Sequence, residues 1–289
     1  MFLLTAVQAT EIPFQFPEDD YIYRPYDDVG FSQYQAPSLH QSKKVVLTFD
    51  DGPHPTLTPA LLDILKKYEV KATFFILAEK INENTRPIVE RMLEDGHIVA
   101  SQDWNHDNSN TQNKETYKTN LRKSILAIEE IIENLGLHRR EMYYRFPYGD
   151  YGKNKTYHQM NAMKEVSHEL YQDNCLNFAF WDIDTADWVR DMSSQDISDN
   201  IMAQIFGGVG FIHWPVRNSQ GKIIGYKKKA YKVKSPLGGG VILMHDIHQK
   251  TVDSVEVFLK EFQKKNIQVI ELNQVKEFSY ENKECVLKI

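Results

Sequence analysis

The stretch that decides the fold reads KVVLTFDDGP and occupies residues 44–53. Its first half is rich in β-branched and aromatic residues, which is typical of a short buried strand. Its second half, Asp50-Asp51-Gly52-Pro53, is a turn that places two adjacent carboxylates at the strand end. A helical pattern follows over 58–68. The stretch therefore predicts the opening strand, turn and helix of a βαβ unit.

The same rhythm repeats along the rest of the chain. Further strand-like runs lie at 71–77, 97–100, 142–146, 178–183, 240–244 and 267–271. Helical patterns separate most of them, notably at 86–93, 115–134 and 252–265. Alternating strands and helices predict a parallel sheet, and about seven strands suit a closed or nearly closed barrel better than a small open sheet. We therefore expect an α/β fold, a distorted (β/α) barrel of about seven parallel strands.

Polar clusters follow five of these predicted strands. In (β/α) barrels the chemistry lies on the loops after the carboxyl ends of the strands. The clusters are Asp50-Asp51, Gln102-Asp103-Trp104-Asn105-His106, Pro147-Tyr148-Gly149, Asp184 with Asp187-Trp188, and His245-Asp246. The sequence therefore predicts one site at this edge of the sheet.

Composition and charge exclude several classes of protein. The 289 residues are 42% hydrophobic and 26% charged, which is the balance of a globular chain with a substantial core. The net charge of −6 and the lack of a long basic run argue against nucleic acid as a partner. No stretch approaches the length of a membrane span. Cys175 and Cys285 have no CxxC spacing, which excludes a cysteine metal site but leaves one bridge or two free thiols open.

The chain divides into a main barrel and flanking segments. Residues 1–9 are an apolar start ending in small residues, either a signal-peptide remnant or a frayed apolar terminus. Residues 10–43 predict an extended lead-in, 44–280 the barrel and 281–289 a tail. A segment at about 207–236 exceeds what one crossover needs, so it is a long loop or hairpin beside the site. Its two interpretations are a substrate-shaping insertion and a surface excursion.

Four motifs in a fixed order resemble a known family. They are TFDDGP at 48–53, RFPYG at 145–149, DTADW at 184–188 and LMH at 243–245. In sequence and order they are similar to the NodB-like polysaccharide deacetylases, which form carbohydrate esterase family four. The resemblance extends over most of the chain, to about residue 275, and implies the deformed barrel expected from the strand pattern.

The family's second motif is altered. The family carries two metal-binding histidines four residues apart, whereas this chain has Gln102 in the first position and His106 in the second. Asp103 replaces the usual Ser or Thr. The resemblance implies a divalent cation, in the family Zn²⁺, held by Asp51 and His106 with the Gln102 carbonyl as a third donor. A neutral amide is a weaker donor than imidazole, so we expect weakened metal binding or none. Asp103 has two further interpretations, a ligand that swings in or a residue that orients His106.

The resemblance also implies the catalytic roles. Asp50 would be the general base that deprotonates water, with Arg145 holding the carboxylate ionised and in place. His245 would be the general acid that protonates the departing amine, oriented by Asp187. The remaining expected site residues are the Tyr148 backbone N–H at the oxyanion, and Trp188 and Leu243 as walls of the acetyl pocket. Asp184 receives no defined role.

The expected activity is metal-dependent hydrolysis of acetamide groups on N-acetylated glycans such as peptidoglycan or chitin. The partner is then an N-acetylated polysaccharide, and the location secreted or periplasmic. Gln102 motivates an alternative, a catalytically silent glycan-binding protein that has lost its metal. A second alternative is an enzyme of the same family that acts on a non-sugar amide. The retained acid and base pairs favour an enzyme, because a pure binder does not need them.

Overall fold

The structure, a computed structural model, describes residues 35–138, 141–152, 158–280 and 285–288. The expected signal-peptide remnant and most of the lead-in and tail lie outside these residues. The strands are β1 Lys44–Asp50, β2 Thr73–Ile76, β3 Ile98–Ser101, β4 Met142–Tyr144, β5 Leu176–Phe178, β6 Ile183–Asp184, β7 Gly208–Arg217, β8 Ile223–Val233, β9 Gly240–His245 and β10 Gln268–Val269. The α-helices are α1 Leu57–Lys67, α2 Arg86–Glu94, α3 Lys114–Asn134, α4 His158–Tyr171, α5 Ser194–Phe206 and α6 Gln249–Lys265.

The main sheet is parallel throughout. Its strands lie in the order β5-β4-β3-β2-β1-β9-β6, and the short β10 pairs with the start of β1. Helices pack against this curled sheet, which confirms the predicted distorted (β/α) barrel. Because all the strands run the same way, their carboxyl ends and the following loops gather at one edge.

The core explains why these segments take these forms. The strand β1 is buried from Val45 to Asp50, so a continuous apolar run is needed there rather than an alternating one. Helix α1 buries Leu61, Leu62 and Leu65, which lie on one face at helical spacing. Helix α5 begins with a capping box in which Ser193 and Asp196 satisfy each other's backbone N–H groups.

One predicted strand is wrong in its extent. The run 178–183 contains the end of β5 at Phe178 and the start of β6 at Ile183, with no strand between them. The carbonyl oxygens of Ala179 and Phe180 accept hydrogen bonds from the Arg145 guanidinium instead of from a neighbouring strand. An apolar run does not reveal this, since its side chains remain buried on either side of the break.

The segment 207–236 forms an antiparallel hairpin of β7 and β8, separate from the main sheet. Cys175 and Cys285 form a disulfide across a sequence separation of 110 residues. This answers the question that the sequence left open, and it ties the end of the chain to the residue just before β5.

Candidate active site

The site is centred on two neighbouring strands. In the parallel pair β1–β9, Asp50 and His245 are register partners at the carboxyl ends of their strands. The residues of one strand that lie two apart share a face, so Leu243 is on the same face of β9 as His245. The sheet register therefore places the expected base, acid and one pocket wall together.

Asp50 is held by a buried ion pair. Its Oδ1 accepts a hydrogen bond of 2.7 Å from Nη1 of Arg145, and both side chains are almost fully buried. Arg145 uses its other donors on the carbonyls of Ala179 and Phe180 and on the Thr48 hydroxyl. The guanidinium group contacts only backbone carbonyls and buried side chains that are themselves fixed, so it cannot rotate away from Asp50. The charge of Arg145 is thus committed to one carboxylate.

Burial is the main influence on the protonation of Asp50. It raises the pKa of this carboxyl to about 6, while the nearby charge of Arg145 opposes the shift. A carboxylate with this pKa is mostly ionised at neutral pH and more basic than an exposed aspartate. These are the properties of a general base that works near neutral pH.

His245 is held by Asp187. Nδ1 of His245 lies 2.7 Å from Oδ1 of Asp187, and the backbone N–H of His245 donates to Oδ2 at 2.7 Å. Thr251 donates its hydroxyl to the same Oδ2 atom at 2.7 Å. Burial lowers the pKa of His245, but the charge and hydrogen bond of Asp187 outweigh it, with help from Asp51 and Asp50, and bring the pKa to about 10. The ring is then protonated at neutral pH with Nε2–H available to donate.

Two of the three expected metal donors face each other. Nε2 of His106 lies 3.3 Å from Oδ1 of Asp51. Within the described residues this buried Oδ1 has no hydrogen-bond partner. A buried carboxylate oxygen left unpaired beside an imidazole nitrogen fits a divalent cation between the two. Across the described part of the chain, however, no cluster of three His, Cys, Asp or Glu side chains forms a complete ligand set.

Gln102 is placed between the two aspartates. Its Oε1 accepts the backbone N–H of Asp51 at 2.8 Å, and its Nε2 donates to Oδ2 of Asp50 at 3.3 Å. Burial excludes water from this amide, which is 2% exposed. One lone pair of the carbonyl is thus already used, and its role as a third metal donor stays a prediction. Asp103 accepts the Trp104 N–H at 2.8 Å, and burial raises its pKa to about 8.

The expected substrate-facing residues surround this centre. Tyr148 lies in the 3₁₀ turn Pro147–Gly149 with φ of 61°, and its ring centroid is 4.3 Å from that of His106. Trp188 directly follows Asp187 in the chain and packs against residues of the hairpin. Asp184 accepts the Ala186 N–H at 2.8 Å, so it shapes the turn that leads to Asp187.

The sequence assigned no role to some residues that lie at the site. Asp246 is fully buried, accepts from Thr58, and has a pKa raised by burial to about 7. His248 places its ring 6.1 Å from that of His245. Asp246 and His248 could have been found from their proximity to the LMH motif. Thr251 gave no such signal, because it lies in the first turn of α6, just before the predicted helical pattern 252–265.

Comparison with known proteins connects this geometry to a family. The family model "Polysaccharide deacetylase" matches residues 39–166. The peptidoglycan-N-acetylglucosamine deacetylase of Bacillus cereus is 32% identical over 186 residues, which is 64% of this chain and 61% of that protein. PgdA of Listeria monocytogenes, also a peptidoglycan-N-acetylglucosamine deacetylase, is 25% identical over 241 residues, or 83% of this chain and 40% of that protein. The chain thus spans less than two thirds of either relative.

A solved structure agrees with the fold. The peptidoglycan deacetylase PdaC from Bacillus subtilis superposes with a TM-score of 0.57 at 25% identity, covering 84% of this chain and 92% of that one. The family match, the relatives and the shared barrel agree with the four motifs at the strand ends. Residues 39–166 therefore match a polysaccharide deacetylase domain, and the four motifs and the barrel are similar to those of the NodB-like type, carbohydrate esterase family four.

Proposed function

We propose that the chain hydrolyses acetamide groups on N-acetylated glycans, releasing acetate and a free amino sugar. The observation that carries the proposal is the pair of held groups on adjacent strands, Asp50 with Arg145 and His245 with Asp187. One pair holds an ionised carboxylate and the other a protonated imidazole, which is what amide hydrolysis requires. The names of the relatives support peptidoglycan as the first polymer to test.

The base side of the reaction belongs to Asp50. Its carboxylate takes a proton from water as the water oxygen attacks the acetamide carbonyl carbon. Arg145 keeps that carboxylate in place and ionised before the attack. The carbonyl oxygen gains negative charge, which the backbone N–H of Tyr148 would stabilise by donating to it.

The acid side belongs to His245. As the C–N bond breaks, Nε2–H of the imidazolium donates its proton to the sugar nitrogen, which leaves as an amine. Asp187 holds Nδ1 on the opposite side of the ring, so Nε2 faces the reacting bond. Leu243 and Trp188 would exclude water around the acetyl methyl group.

Metal assistance is part of the proposal. Asp51 and His106 would hold a divalent cation such as Zn²⁺, which supplies Lewis-acid polarisation of the acetamide carbonyl. Gln102 would either bind the cation through the remaining lone pair of its carbonyl oxygen or not bind it. We expect weaker binding than in a site with two histidines, since an amide donates less strongly than imidazole.

Secretion is also proposed. The Cys175–Cys285 disulfide supports it, because such bridges persist in oxidising compartments outside the cytosol. Within the described residues, no helix has both the length and the apolar character needed to cross a bilayer.

The test is metal content by elemental analysis of protein purified without chelators, combined with acetate release from peptidoglycan and chitin oligomers. We expect acetate release that EDTA abolishes and added Zn²⁺ restores. The absence of both a bound ion after soaking and acetate from either substrate would overturn the proposal. If the protein still bound glycans in that case, the alternative of a catalytically silent glycan-binding protein, which Gln102 motivates, would be favoured.

A further inference from the structure

We propose that the hairpin β7–β8 is a docking surface for a carboxylate-bearing glycan strand as that strand leaves the catalytic site. The inference rests on the proposed function for the identity of the polymer. Three observations are independent of that function: the hairpin itself, its charge and its attachment to the loop that carries Asp187.

The hairpin is strongly basic within an acidic protein. The segment 207–236 holds Arg217, six lysines and no Asp or Glu, while the whole chain has a net charge of −6. The positive charges are concentrated in one place, since these cations lie on one two-stranded ribbon, the hairpin β7–β8. Such a ribbon attracts an anionic polymer and gives a neutral one no electrostatic advantage.

One face of the ribbon is fastened to the catalytic side of the domain. The Trp188 ring centroid lies 4.9 Å from that of His213 and 5.2 Å from that of Tyr226. Lys228 pairs with Asp196 at 2.6 Å, and its N–H donates to Asp191 at 2.8 Å. Since Trp188 follows the residue that orients His245, these contacts place the ribbon beside the loop that carries Asp187.

A buried amide fixes the direction of the ribbon. Asn200 on α5 accepts the Phe211 N–H at 2.9 Å, and its Nδ2 donates to the carbonyls of Asp184 and Thr185. A Cβ at Gly210 would lie 2.8 Å from the Asn200 oxygen, so only glycine permits this close approach. The hairpin is thus joined through one side chain to the loop that carries Asp187.

Beyond its Gly210 end, which meets α5, the opposite face of the ribbon is exposed. Cross-strand partners share a face, so Ile212 with Lys229 and Trp214 with Lys227 lie together on it. Trp214 is 43% exposed, and Nζ of Lys229 lies 3.4 Å from its ring centroid. Within the residues that the structure places, neither Lys227 nor Lys229 pairs with a carboxylate, unlike Lys228 on the fastened face.

This combination of an exposed indole and unpaired ammonium groups matches one class of ligand. The flat indole face suits the apolar face of a sugar ring, and lysine ammonium groups suit carboxylates. A glycan that alternates N-acetylated sugars with carboxylate-bearing units has both features along one chain. The ribbon is attached to the loop that carries Asp187. This favours the substrate strand itself, rather than an unrelated polyanion, as the ligand of the exposed face.

The test compares cosedimentation of the full chain with two insoluble polymers, peptidoglycan with its carboxylates intact and neutral chitin. The variant Lys227→Gln/Lys229→Gln removes charge from the exposed face only. A matched control, Lys44→Gln/Lys276→Gln, removes two exposed lysines elsewhere. We expect the hairpin variant to bind peptidoglycan about fivefold less tightly or worse, and the control to bind as the parent does. Binding of the parent to peptidoglycan should weaken with added salt.

Acetate release from soluble, neutral N-acetylglucosamine oligomers separates this inference from the proposed function. We expect the hairpin variant to keep the parent rate on these short substrates. The parent protein could release no acetate and still bind peptidoglycan in a way that depends on salt and on the hairpin lysines. That result would overturn the proposed function but not the docking surface. Unchanged peptidoglycan binding by the hairpin variant would overturn the docking surface. So would lost binding accompanied by a change in oligomeric state, since the hairpin would then be a self-association arm.

Discussion

Gln102 illustrates how one side chain links several parts of the site. It joins the carboxylate of Asp50 to the backbone of Asp51 through the two ends of a single amide. A histidine in this position could not donate and accept in the same two directions while also binding a cation. The amide is thus a neutral brace between the two aspartates, at the position where the family resemblance implies a metal-binding histidine.

Replacing Gln102 with His tests this interpretation of the metal site. We expect Gln102→His to raise the affinity for Zn²⁺ at least about tenfold, because imidazole supplies the missing strong donor. Competition with a chromophoric chelator measures this affinity without any assay of activity. A variant with unchanged Zn²⁺ affinity would show that this position does not face the cation.

His97 predicts a pH dependence of stability away from the site. It is 5% exposed, accepts the Ala72 N–H at 3.1 Å through Nδ1, and burial lowers its pKa from 6.5 to about 4. Between these pH values the unfolded chain binds the proton and the folded chain does not, so stability falls as the pH falls. The loss is about 3 kcal/mol over the whole window.

Urea unfolding from pH 7 to pH 4 measures the contribution of His97. The variant His97→Gln keeps an acceptor for the Ala72 N–H but does not titrate, so its free energy of unfolding should depend less on pH. Parallel pH curves for the parent and the variant would assign the acid sensitivity to other groups.

Individual site residues were predicted from the sequence where a motif carried them. The contacts of Asp50 with Arg145 and of His245 with Asp187 follow from four motifs at strand ends. The bracing position of Gln102 could not be predicted, because it depends on side-chain rotamers. The link made by Asn200 was likewise hidden, since a polar residue in a helix gives no sign of a backbone partner across the fold.

At the scale of elements, the turn between β1 and α1 depends on a residue without a side chain. A Cβ at Gly52 would lie 2.4 Å from an oxygen of the buried Asp246. We expect Gly52→Ala to destabilise the fold by about 1–3 kcal/mol, because both the turn and Asp246 are fixed by packing. Thermal unfolding measures this, with Gly225→Ala as control because its added Cβ meets nothing within 4 Å. Equal midpoints for the two variants would show that this turn does accommodate a Cβ at position 52.

The elements also differ in how far the sequence specified them. The apolar strands and amphipathic helices were predictable because burial sets their periods, and most bounds agree within a few residues. The segment 207–236 was predictable as an insertion but not in its register, since both of its strands are largely exposed. The break between β5 and β6 needed knowledge of Arg145, which is distant in sequence.

At the scale of the whole molecule, the disulfide is a long-range covalent constraint. Cys175 and Cys285 join positions separated by 110 residues, so the bridge removes many conformations from the unfolded chain. We expect Cys175→Ser/Cys285→Ser to lower the free energy of unfolding by about 2–5 kcal/mol with little effect on activity at room temperature. Urea unfolding of the variant and of the reduced parent should agree. A variant as stable as the oxidised parent would contradict this role.

We propose above all that Asp50 and His245 act as base and acid in one amide hydrolysis. Its most direct test is acetate release from N-acetylglucosamine oligomers, with Zn²⁺ supplied, by the parent, Asp50→Asn and His245→Ala. We expect measurable release by the parent and a loss of about 10²-fold to 10⁴-fold in each variant, with circular dichroism showing that folding is preserved. Release by His245→Ala at the parent rate would contradict the assigned acid, and no release by the folded parent would contradict the activity itself.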